Sequence, residues 1–254
     1  MRSIIPYIGG KSRLADEIIK HFPTDHQCYV EVFAGAANFL FRKDPVHTEV
    51  INDINKDLIT LYRVVKNHFE EFYKQLKWLL VSRDEYNRFL ETPGDVLTDI
   101  QRAVRYYYLA KTSFGGKQAG QSFGYAPSSP PRFNLLRIEE DLSEAHLRLA
   151  RVYIENIHYL EILKRYDRPY TVFYLDPPYD GCEDDYGKGV FSKDDFGIMA
   201  AVLSTLTGRF ILSLNDTKLV RDIYRKFNIV PVETVYSLGK GNKTKVKEVL
   251  IKNF

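Results

Sequence analysis

The feature that most constrains the fold of this chain is an alternation of short apolar runs with helix-like segments. The runs have the length of buried strands and lie at 28–33, 50–51 with its flanks, 152–155, 171–175 and 209–214. Helix-like segments follow at 36–41, 58–65, 160–166 and 218–227. Buried strands that alternate with helices are typical of a parallel sheet covered on both faces. The sequence therefore predicts an α/β fold, closed by an antiparallel hairpin from runs at 231–237 and 248–252.

A long insertion at 67–148 interrupts this alternation. It holds helical patterns at 69–80 and 99–112, followed by a Gly-, Ser- and Pro-rich stretch at 114–132. Long insertions between sheet strands are usually functional. We therefore expect a catalytic domain built from 1–66 and 149–254 and a separate role for the insert.

Composition excludes several classes of protein. With 44% apolar and 27% charged residues, the chain is typical of a globular protein, and no run approaches the ~18 apolar residues of a membrane span. The N-terminus lacks an apolar signal region, which predicts a cytoplasmic protein. Cys28 and Cys182 are the only cysteines, and the six histidines have no metal-ligand spacing, so we expect no metal site.

The strongest chemical signal is the motif Asp176-Pro-Pro-Tyr179, directly after the strand-like run 171–175. Prolines cannot donate ladder hydrogen bonds, so the chain leaves the sheet there and places Asp176 at the carboxyl end of a strand. The Asp176 carboxylate and the Pro177 carbonyl can accept hydrogen bonds from an exocyclic amine and make it attack a methyl sulfonium. Tyr179 can stack on the base that carries the amine. The alternative is a strand-ending turn with a packed tyrosine.

A second motif, Glu31-Val-Phe-Ala-Gly-Ala-Ala-Asn38, runs from a strand into a glycine turn. Gly35 lets the backbone pass close to a ligand, but a G-x-G-x-x-G pattern is absent, which argues against a dinucleotide. Asp53 follows the next strand at the spacing that suits ribose hydroxyls. A ribose acceptor without a pyrophosphate cradle suggests an adenosyl ligand such as S-adenosylmethionine. Alternatively, Asp53 is the N-cap of the helix that follows.

The N-terminal segment Tyr7-Ile-Gly-Gly-Lys-Ser12 resembles part of a P-loop. The first glycine of G-x-x-x-x-G-K-[ST] is missing, because Ile5 stands in its place, and no strand precedes it. The turn still directs backbone N–H groups and Lys11 toward one spot, which suits a carboxylate or a phosphate. A surface turn with a solvated lysine is the alternative.

Basic residues dominate the second half of the insert. Between 101 and 137 the chain has six basic residues and no acidic one: Arg102, Arg105, Lys111, Lys117, Arg132 and Arg137. This bias favours a surface that follows a phosphate backbone, with Phe114, Phe123 and Tyr125 available to stack on bases. A solvated loop is the alternative.

Five motifs together resemble the Dam-like (D12) class of N6-adenine DNA methyltransferases. They occur in the family's order: 6–11, 29–38, 51–58, 176–179 and 210–216. The resemblance spans about 3–252 and implies a Rossmann-like methyltransferase sheet with a helical DNA-recognition insert at 67–148. It also implies transfer of a methyl group from S-adenosylmethionine to N6 of a flipped adenine in double-stranded DNA.

Site residues follow from the same resemblance. It implies that Tyr7, Lys11, Asp53 and Asp176 bind the cofactor, with Lys11 at the methionine carboxylate and Asp53 at the ribose. Phe33 and Gly35, in the glycine turn after the first strand, are further candidates for binding the cofactor. It implies catalytic roles for Asp176, Pro177 and Tyr179, and a target pocket lined by Ser213, Asn215 and Asp216. For contacts with DNA we select Arg105, Lys111, Lys117, Gln121 and Arg132.

The chain departs from the family pattern at two places. Alanine replaces a second glycine in 33–37, where we expect slight tightening, and glycines replace the F-N-G motif of GATC-methylating members in 114–124. Glycines offer little side chain for reading base edges, so we expect a short or relaxed target rather than GATC.

RNA base methylation, an inactive nucleic-acid-binding relative and glutamine methylation of proteins are the alternatives. We expect direct transfer without a covalent intermediate, by a monomeric enzyme.

Overall fold

The structure is a computed structural model that describes residues 1–7, 11, 14–114, 120–125, 133–183, 189–238 and 242–254, with the backbone alone for 233–238 and 242–246. Its strands form one sheet: β1 Cys28–Glu31, β2 Thr48–Asn52, β3 Val152–Glu155, β4 Thr171–Leu175, β5 Arg209–Asn215, β6 Asn228–Leu238 and β7 Asn242–Lys252. The strand order is β3-β2-β1-β4-β5-β7-β6. β1 to β5 are parallel, and β7 is antiparallel to both β5 and β6. The predicted parallel sheet with a terminal antiparallel hairpin is confirmed.

The helices are α1 Ala15–Ile19, α2 Lys56–Asn67, α3 Phe69–Leu76, α4 Arg83–Glu91, α5 Asp99–Thr112, α6 Leu135–Leu149, α7 Tyr159–Tyr166, α8 Lys193–Leu203 and α9 Lys218–Ile223. They cover both faces of the sheet, because alternate strand residues point to opposite sides. Phe173 and Leu175 of β4 pack with residues of α7, α8 and α9, whereas Tyr174 between them packs with residues of α1 on the other face. Burial on both faces explains why these strands are continuously apolar.

The insert shares a hydrophobic core with the sheet. Its helices α3, α5 and α6 pack on α2, and their buried residues belong to one cluster with Ile51 of β2. Arg148 at the end of α6 binds the buried carboxylate of Glu49 on β2, with Nη2 2.8 Å from Oε1. The insert is thus fixed to the catalytic sheet by apolar packing and by an ion pair, and its boundaries at 67–148 stay a prediction.

Three sequence predictions about helices are wrong, one of them the helix expected at 218–227, which ends at Ile223. Residues 36–41 form turns rather than a helix, because Gly35 and Ala37 adopt the left-handed conformation, with φ of 46° and 49°. The helix expected at 69–80 ends at Leu76. By contrast, α5 has the predicted bounds and begins with a capping box between Thr98 and Gln101.

Candidate active site

A cavity lies at the carboxyl ends of β1, β2 and β4, and it encloses about 960 Å³, its open mouth included. Open α/β sheets bind ligands at this edge. The cavity wall includes all six residues predicted to bind a cofactor: Tyr7, Lys11, Phe33, Gly35, Asp53 and Asp176. Residues spread over the first 176 positions are therefore brought to one place by the sheet.

The glycine turn after β1 has a conformation that requires Gly35. Its φ of 46° lies in the left-handed region, and a Cβ there would stand 3.0 Å from Cε1 of Tyr7. The hydroxyl of Tyr62 on α2 donates to the Gly35 carbonyl at 2.7 Å and holds the turn in place. Ala37, within the segment where the family pattern has a second glycine, also has positive φ, which costs about 1–2 kcal/mol in an L-residue.

Asp53 is fixed by backbone groups. Its Oδ2 accepts a hydrogen bond from the Gly35 N–H at 3.0 Å, and its Oδ1 accepts one from the Asn55 N–H at 2.9 Å. Burial raises the pKa of this carboxyl, although the backbone donors oppose the effect. The N-cap of α2 is Asn55, whose side chain accepts from the Asp57 and Leu58 N–H groups. The N-cap interpretation of Asp53 is therefore wrong.

Asp176 lies at the centre of a buried polar cluster. Its Oδ1 is 3.2 Å from Nζ of Lys11 and accepts a hydrogen bond from the Ser213 hydroxyl at 2.9 Å. The Tyr174 hydroxyl lies 2.9 Å from Ser213 Oγ and extends the chain. Burial raises the pKa of Asp176, and the charge of Lys11 opposes this rise. Ser213, which the family resemblance assigns to the target pocket, is a direct partner of Asp176.

Lys11 is almost fully enclosed, with 2% of its surface exposed. Its Nζ lies between Asp176 and Glu248, 3.1 Å from Oε2 of Glu248, and 4.1 Å from the centre of the Tyr179 ring. The alternative of a solvated surface lysine is therefore wrong. These contacts join Lys11 to the catalytic motif, and its contact with a methionine carboxylate stays a prediction.

The segment after β4 is clamped to the end of β5. The Asn215 side chain accepts from the Asp180 N–H at 3.1 Å and donates to the Asp180 carbonyl at 3.0 Å. Pro177 is buried and Tyr179 is half-buried against the core. Two amide hydrogen bonds thus set the path of the chain around Tyr179. The family resemblance placed Asn215 in the target pocket but did not imply these hydrogen bonds with Asp180.

Glu31, at the end of β1, is a cavity residue that sequence reasoning did not select. Its Oε2 accepts hydrogen bonds from the Leu40 N–H at 3.0 Å and from the Tyr29 hydroxyl at 3.1 Å. Burial raises the pKa of Glu31 from 4.5 to about 8. An acid within an otherwise apolar strand was the available signal, because acids are rarely buried without a partner or a function.

Part of the cavity wall is aromatic, and two of its rings were missed by sequence reasoning. Tyr159 and Phe191 pack on Phe33, with ring centres 5.6 Å and 6.2 Å away. The Tyr159 hydroxyl donates to Asp195 at 2.8 Å, which joins α7 to α8. Asn52 donates to the Val32 and Ile157 carbonyls and holds the loop before α7 beside β1. No motif in the sequence marks Tyr159 or Phe191.

The predicted DNA-binding residues have varied surroundings. Arg105 donates to the Phe89 carbonyl at 2.7 Å and lies 3.6 Å from Asp57. Lys111 is half-buried, 5.3 Å from the Tyr107 ring centre, and burial lowers its pKa. Gln121 is half-buried, and Lys117 and Arg132 lie outside the described residues. The basic bias of 101–137 is thus partly balanced by an acid from α2, and DNA contacts stay a prediction.

An isolated antiparallel bridge joins Ser113 to Phe123 in the insert. The Phe114 N–H donates to the Ser122 carbonyl at 2.8 Å, and the Gly124 N–H donates to the Thr112 carbonyl at 2.7 Å. Phe114 and Tyr125 are exposed, by 66% and 69%. Phe123 instead packs edge-on against Tyr86, with ring centres 5.4 Å apart. Two of the three aromatics proposed to stack on bases therefore have exposed rings.

Within the part of the chain that the structure describes, no helix is long and apolar enough to cross a membrane. Among the same residues, no group of three or more His, Cys, Asp or Glu side chains is arranged to hold a metal ion.

Comparison with known proteins identifies the family. The family model for D12 class N6 adenine-specific DNA methyltransferases matches residues 7–238. The Type II methyltransferase M.CviBI of Paramecium bursaria Chlorella virus NC1A is 24% identical, over 100% of both chains. The DNA adenine methylase of Escherichia coli K12 is 28% identical over 98% of this chain and 94% of its own, and the retron Ec67 DNA adenine methylase of Escherichia coli is 28% identical over 94% and 86%.

The resemblance based on the five motifs is therefore confirmed, including its expectation of DNA rather than RNA as the substrate. The match extends over both parts of the expected catalytic domain and over the insert. The chain belongs to the D12 class of N6 adenine-specific DNA methyltransferases, enzymes that transfer a methyl group to the N6 amine of adenine in DNA.

Proposed function

We propose that this enzyme uses S-adenosylmethionine to methylate N6 of an adenine that is flipped out of duplex DNA, within a short or relaxed target sequence. The observation that carries the proposal is the convergence of Asp53 and Asp176 on one cavity, each at the carboxyl end of a buried strand. One carboxylate suits a ribose and the other suits an exocyclic amine, as expected where a nucleoside cofactor meets a base.

The cavity fits the cofactor. Its wall combines aromatic side chains with a few polar groups, as is usual for small-molecule sites. Asp53 has carboxylate lone pairs beyond the two used by backbone donors, so ribose hydroxyls can donate to it. Tyr7, Phe33 and Gly35 complete this end of the site. When bound, S-adenosylmethionine supplies an electrophilic methyl group.

The chain's own residues prepare the amine. Asp176 and the Pro177 carbonyl accept hydrogen bonds from the N6 amine, which moves its lone pair toward the methyl group and stabilises the charge that develops on nitrogen. Tyr179 stacks on the flipped base, worth about 1–3 kcal/mol. Extrusion of a base costs a few kcal/mol, so stacking and the hydrogen bonds at Asp176 are both needed.

Methyl transfer is direct. Cys28 is buried in the sheet, Cys182 lies in an exposed loop, and neither belongs to the wall of the cavity that holds Asp176. An amine is itself the nucleophile, so no covalent enzyme intermediate is required. The proton lost from N6 can pass to Asp176, whose pKa is raised by burial.

DNA recognition is assigned to the insert at 67–148. The exposed rings of Phe114 and Tyr125 flank the glycine-rich segment, which supports contact with splayed or edge-exposed bases. Arg105, Lys111, Lys117, Gln121 and Arg132 are proposed to contact DNA, chiefly its backbone. Because glycines read no base edges, the target is proposed to be short or relaxed. The enzyme is proposed to act as a monomer.

The test incubates the purified protein with S-adenosylmethionine and unmodified plasmid DNA, and maps N6-methyladenine by single-molecule sequencing. Methylation at a short motif or at many adenines is the expected result, and it is absent from an Asp176→Asn control. Strict GATC methylation would overturn the proposed specificity. Methylation of RNA but not of DNA would overturn the proposed substrate.

A further inference from the structure

The carboxylate of Glu248 belongs to the active site although no motif contains it. β7 is antiparallel to β5 and pairs Glu248 with Asn215, the residue that clamps the segment after β4. Glu248 is fully buried, and its Oε2 lies 3.1 Å from Nζ of Lys11. The same Nζ lies 3.2 Å from Oδ1 of Asp176. The terminal hairpin thus places a second carboxylate on the lysine that contacts Asp176.

A buried cluster of three charged groups would contribute little to stability if it had no other role. Burying two carboxylates and one ammonium requires desolvation that their attraction rarely repays, so a buried ion pair is weak evidence for stability. The cluster has one positive and two negative groups, and Asp176 is the member whose side chain is 19% exposed at the cavity. Lys11 and Glu248 lie behind it, with 1% and 0% of their side chains exposed.

We propose that Glu248 is a positioning residue for methyl transfer, which holds the Lys11 ammonium and shares its charge so that Asp176 remains a strong hydrogen-bond acceptor. The inference rests on the proposed role of Asp176 at the N6 amine. It gives the antiparallel hairpin a part in the chemistry, because β7 supplies the counter-charge that sets how strongly Lys11 binds Asp176.

The electrostatics have a definite sign. The groups that face Asp176 are Lys11 from the N-terminal segment, Ser213 of β5, Tyr174 of β4, Glu31 of β1 and Glu248 of β7. Burial raises the pKa of Asp176, Lys11 lowers it, and Glu248 raises it. Removing the charge of Glu248 therefore lowers the pKa of Asp176, and a weaker base is a weaker acceptor for the amine.

The experiment compares Glu248→Gln with Glu49→Gln in single-turnover methylation of duplex DNA, from acid to alkaline pH. Glu49 is the control for loss of a buried, cation-paired carboxylate away from the cavity wall: it lies on β2, with Oε1 2.5 Å from Lys43 Nζ, and because it also pairs with Arg148 of the insert, its rate is measured at saturating DNA. We expect Glu248→Gln to slow transfer on the order of tenfold to a hundredfold. In the pH–rate profile of Glu248→Gln, the acid limb should shift to lower pH. In the profile of Glu49→Gln, it should stay where it is in the wild type. The rates are compared at saturating cofactor, with affinity measured separately by calorimetry, because Lys11 is also predicted to contact the cofactor.

A double-mutant cycle with Lys11→Met separates positioning from folding. If Glu248 acts through Lys11, the losses are not additive, and Glu248→Gln slows the Lys11→Met enzyme little further. A wild-type rate and pH profile in Glu248→Gln would overturn the inference, and so would a rate loss that is additive and leaves the acid limb unmoved. If instead Asp176→Asn remains active, the proposed function of Asp176 fails, which is a distinguishable result.

Discussion

The two ends of the cavity hold their carboxylates in different ways. Asp53 is fixed by the N–H groups of Gly35 and Asn55, which carry permanent partial charges and do not titrate. Asp176 is fixed by side chains, chiefly the Lys11 ammonium and the Ser213 hydroxyl, whose charge or proton position can change. A backbone cradle suits recognition of an unchanging ribose. A side-chain cluster suits a group that has to respond as charge develops on the amine.

The largest expected effect is at the transfer end. Asp176→Asn keeps the shape of the side chain but replaces a charged acceptor with a weak one and with N–H groups that oppose the amine. We expect the single-turnover rate to fall by about a thousandfold or more. Retention of DNA should change little in a gel shift, and the loss of S-adenosylmethionine affinity, measured by calorimetry, should be much smaller than the loss of rate, because Asp176 is predicted to contact the cofactor as well as the amine. A parallel loss of DNA binding would contradict this division of roles.

The matching change at the cofactor end, Asp53→Asn, should weaken cofactor binding and leave the transfer rate nearly unchanged. Asp53→Asn keeps one acceptor for the Gly35 or the Asn55 N–H but loses the charge offered to a ribose. We expect cofactor affinity to fall by about tenfold to a hundredfold, equivalent to the ~1.5–3 kcal/mol of a hydrogen bond to a charged group. The transfer rate at saturating cofactor should remain near that of the wild type. A slow rate at saturation would show that the two ends are not separable.

Sequence reasoning found the residues that follow strands and missed those brought in by packing. Asp53 and Asp176 end apolar runs, and the carboxyl ends of parallel strands meet at one edge, so their convergence was predictable. The position of Glu248 depends on the register between β7 and β5. A register shift of one residue would turn it to the other face, and no local pattern fixes that register. Glu31 opens the motif at 31–38, but the interpretation of that motif rested on Gly35 and gave the acid no role.

The surface charge of the insert was also hard to predict from the sequence alone. Six basic residues without an acid between 101 and 137 predicted a positive surface, but that prediction depended on neighbours in sequence alone. Arg102 and Arg105 both contact Asp57, which belongs to α2. Arg137 lies 3.9 Å from Asp141, one turn beyond the basic stretch. Charge balance depends on helix packing, and that packing is set by apolar residues whose partners are distant in the chain.

A third prediction concerns Glu31, which lies between the two ends. Because its pKa rises from 4.5 to about 8 in the folded protein, the native state binds a proton that the unfolded chain releases. The contribution to stability is complete below about pH 4.5 and is lost as pH rises through 8, with a slope of at most about 1.4 kcal/mol per pH unit. Urea unfolding without cofactor should therefore give a lower free energy of unfolding at pH 8 than at pH 5.

Glu31→Gln should reduce that pH dependence, because an amide cannot bind the proton and still accepts from the Leu40 N–H. Some slope should remain, since burial also raises the pKa values of Asp53 and Asp176. If the free energy of unfolding of Glu31→Gln depends on pH as strongly as that of the wild type, the proton is bound elsewhere. Asp53 and Asp176 would then be the titrating groups.

The smallest expected effect lies outside the cavity, at Lys111 of α5. Its ammonium is half-buried near the Tyr107 ring, so a phosphate contact would add little new attraction, and we expect Lys111→Ala to weaken DNA binding by only about threefold. The informative measurement is the dependence of affinity on salt, because each phosphate contact contributes about −0.9 to the slope of log K against log salt. A slope reduced by about one unit, equal for all sequences, supports a backbone contact. Lys20→Ala, just after α1, where the lysine is exposed and paired with Glu17, is the control for a general loss of charge. If both variants keep the wild-type slope, Lys111 serves to pack α5, and the phosphate contacts of the insert lie at other residues.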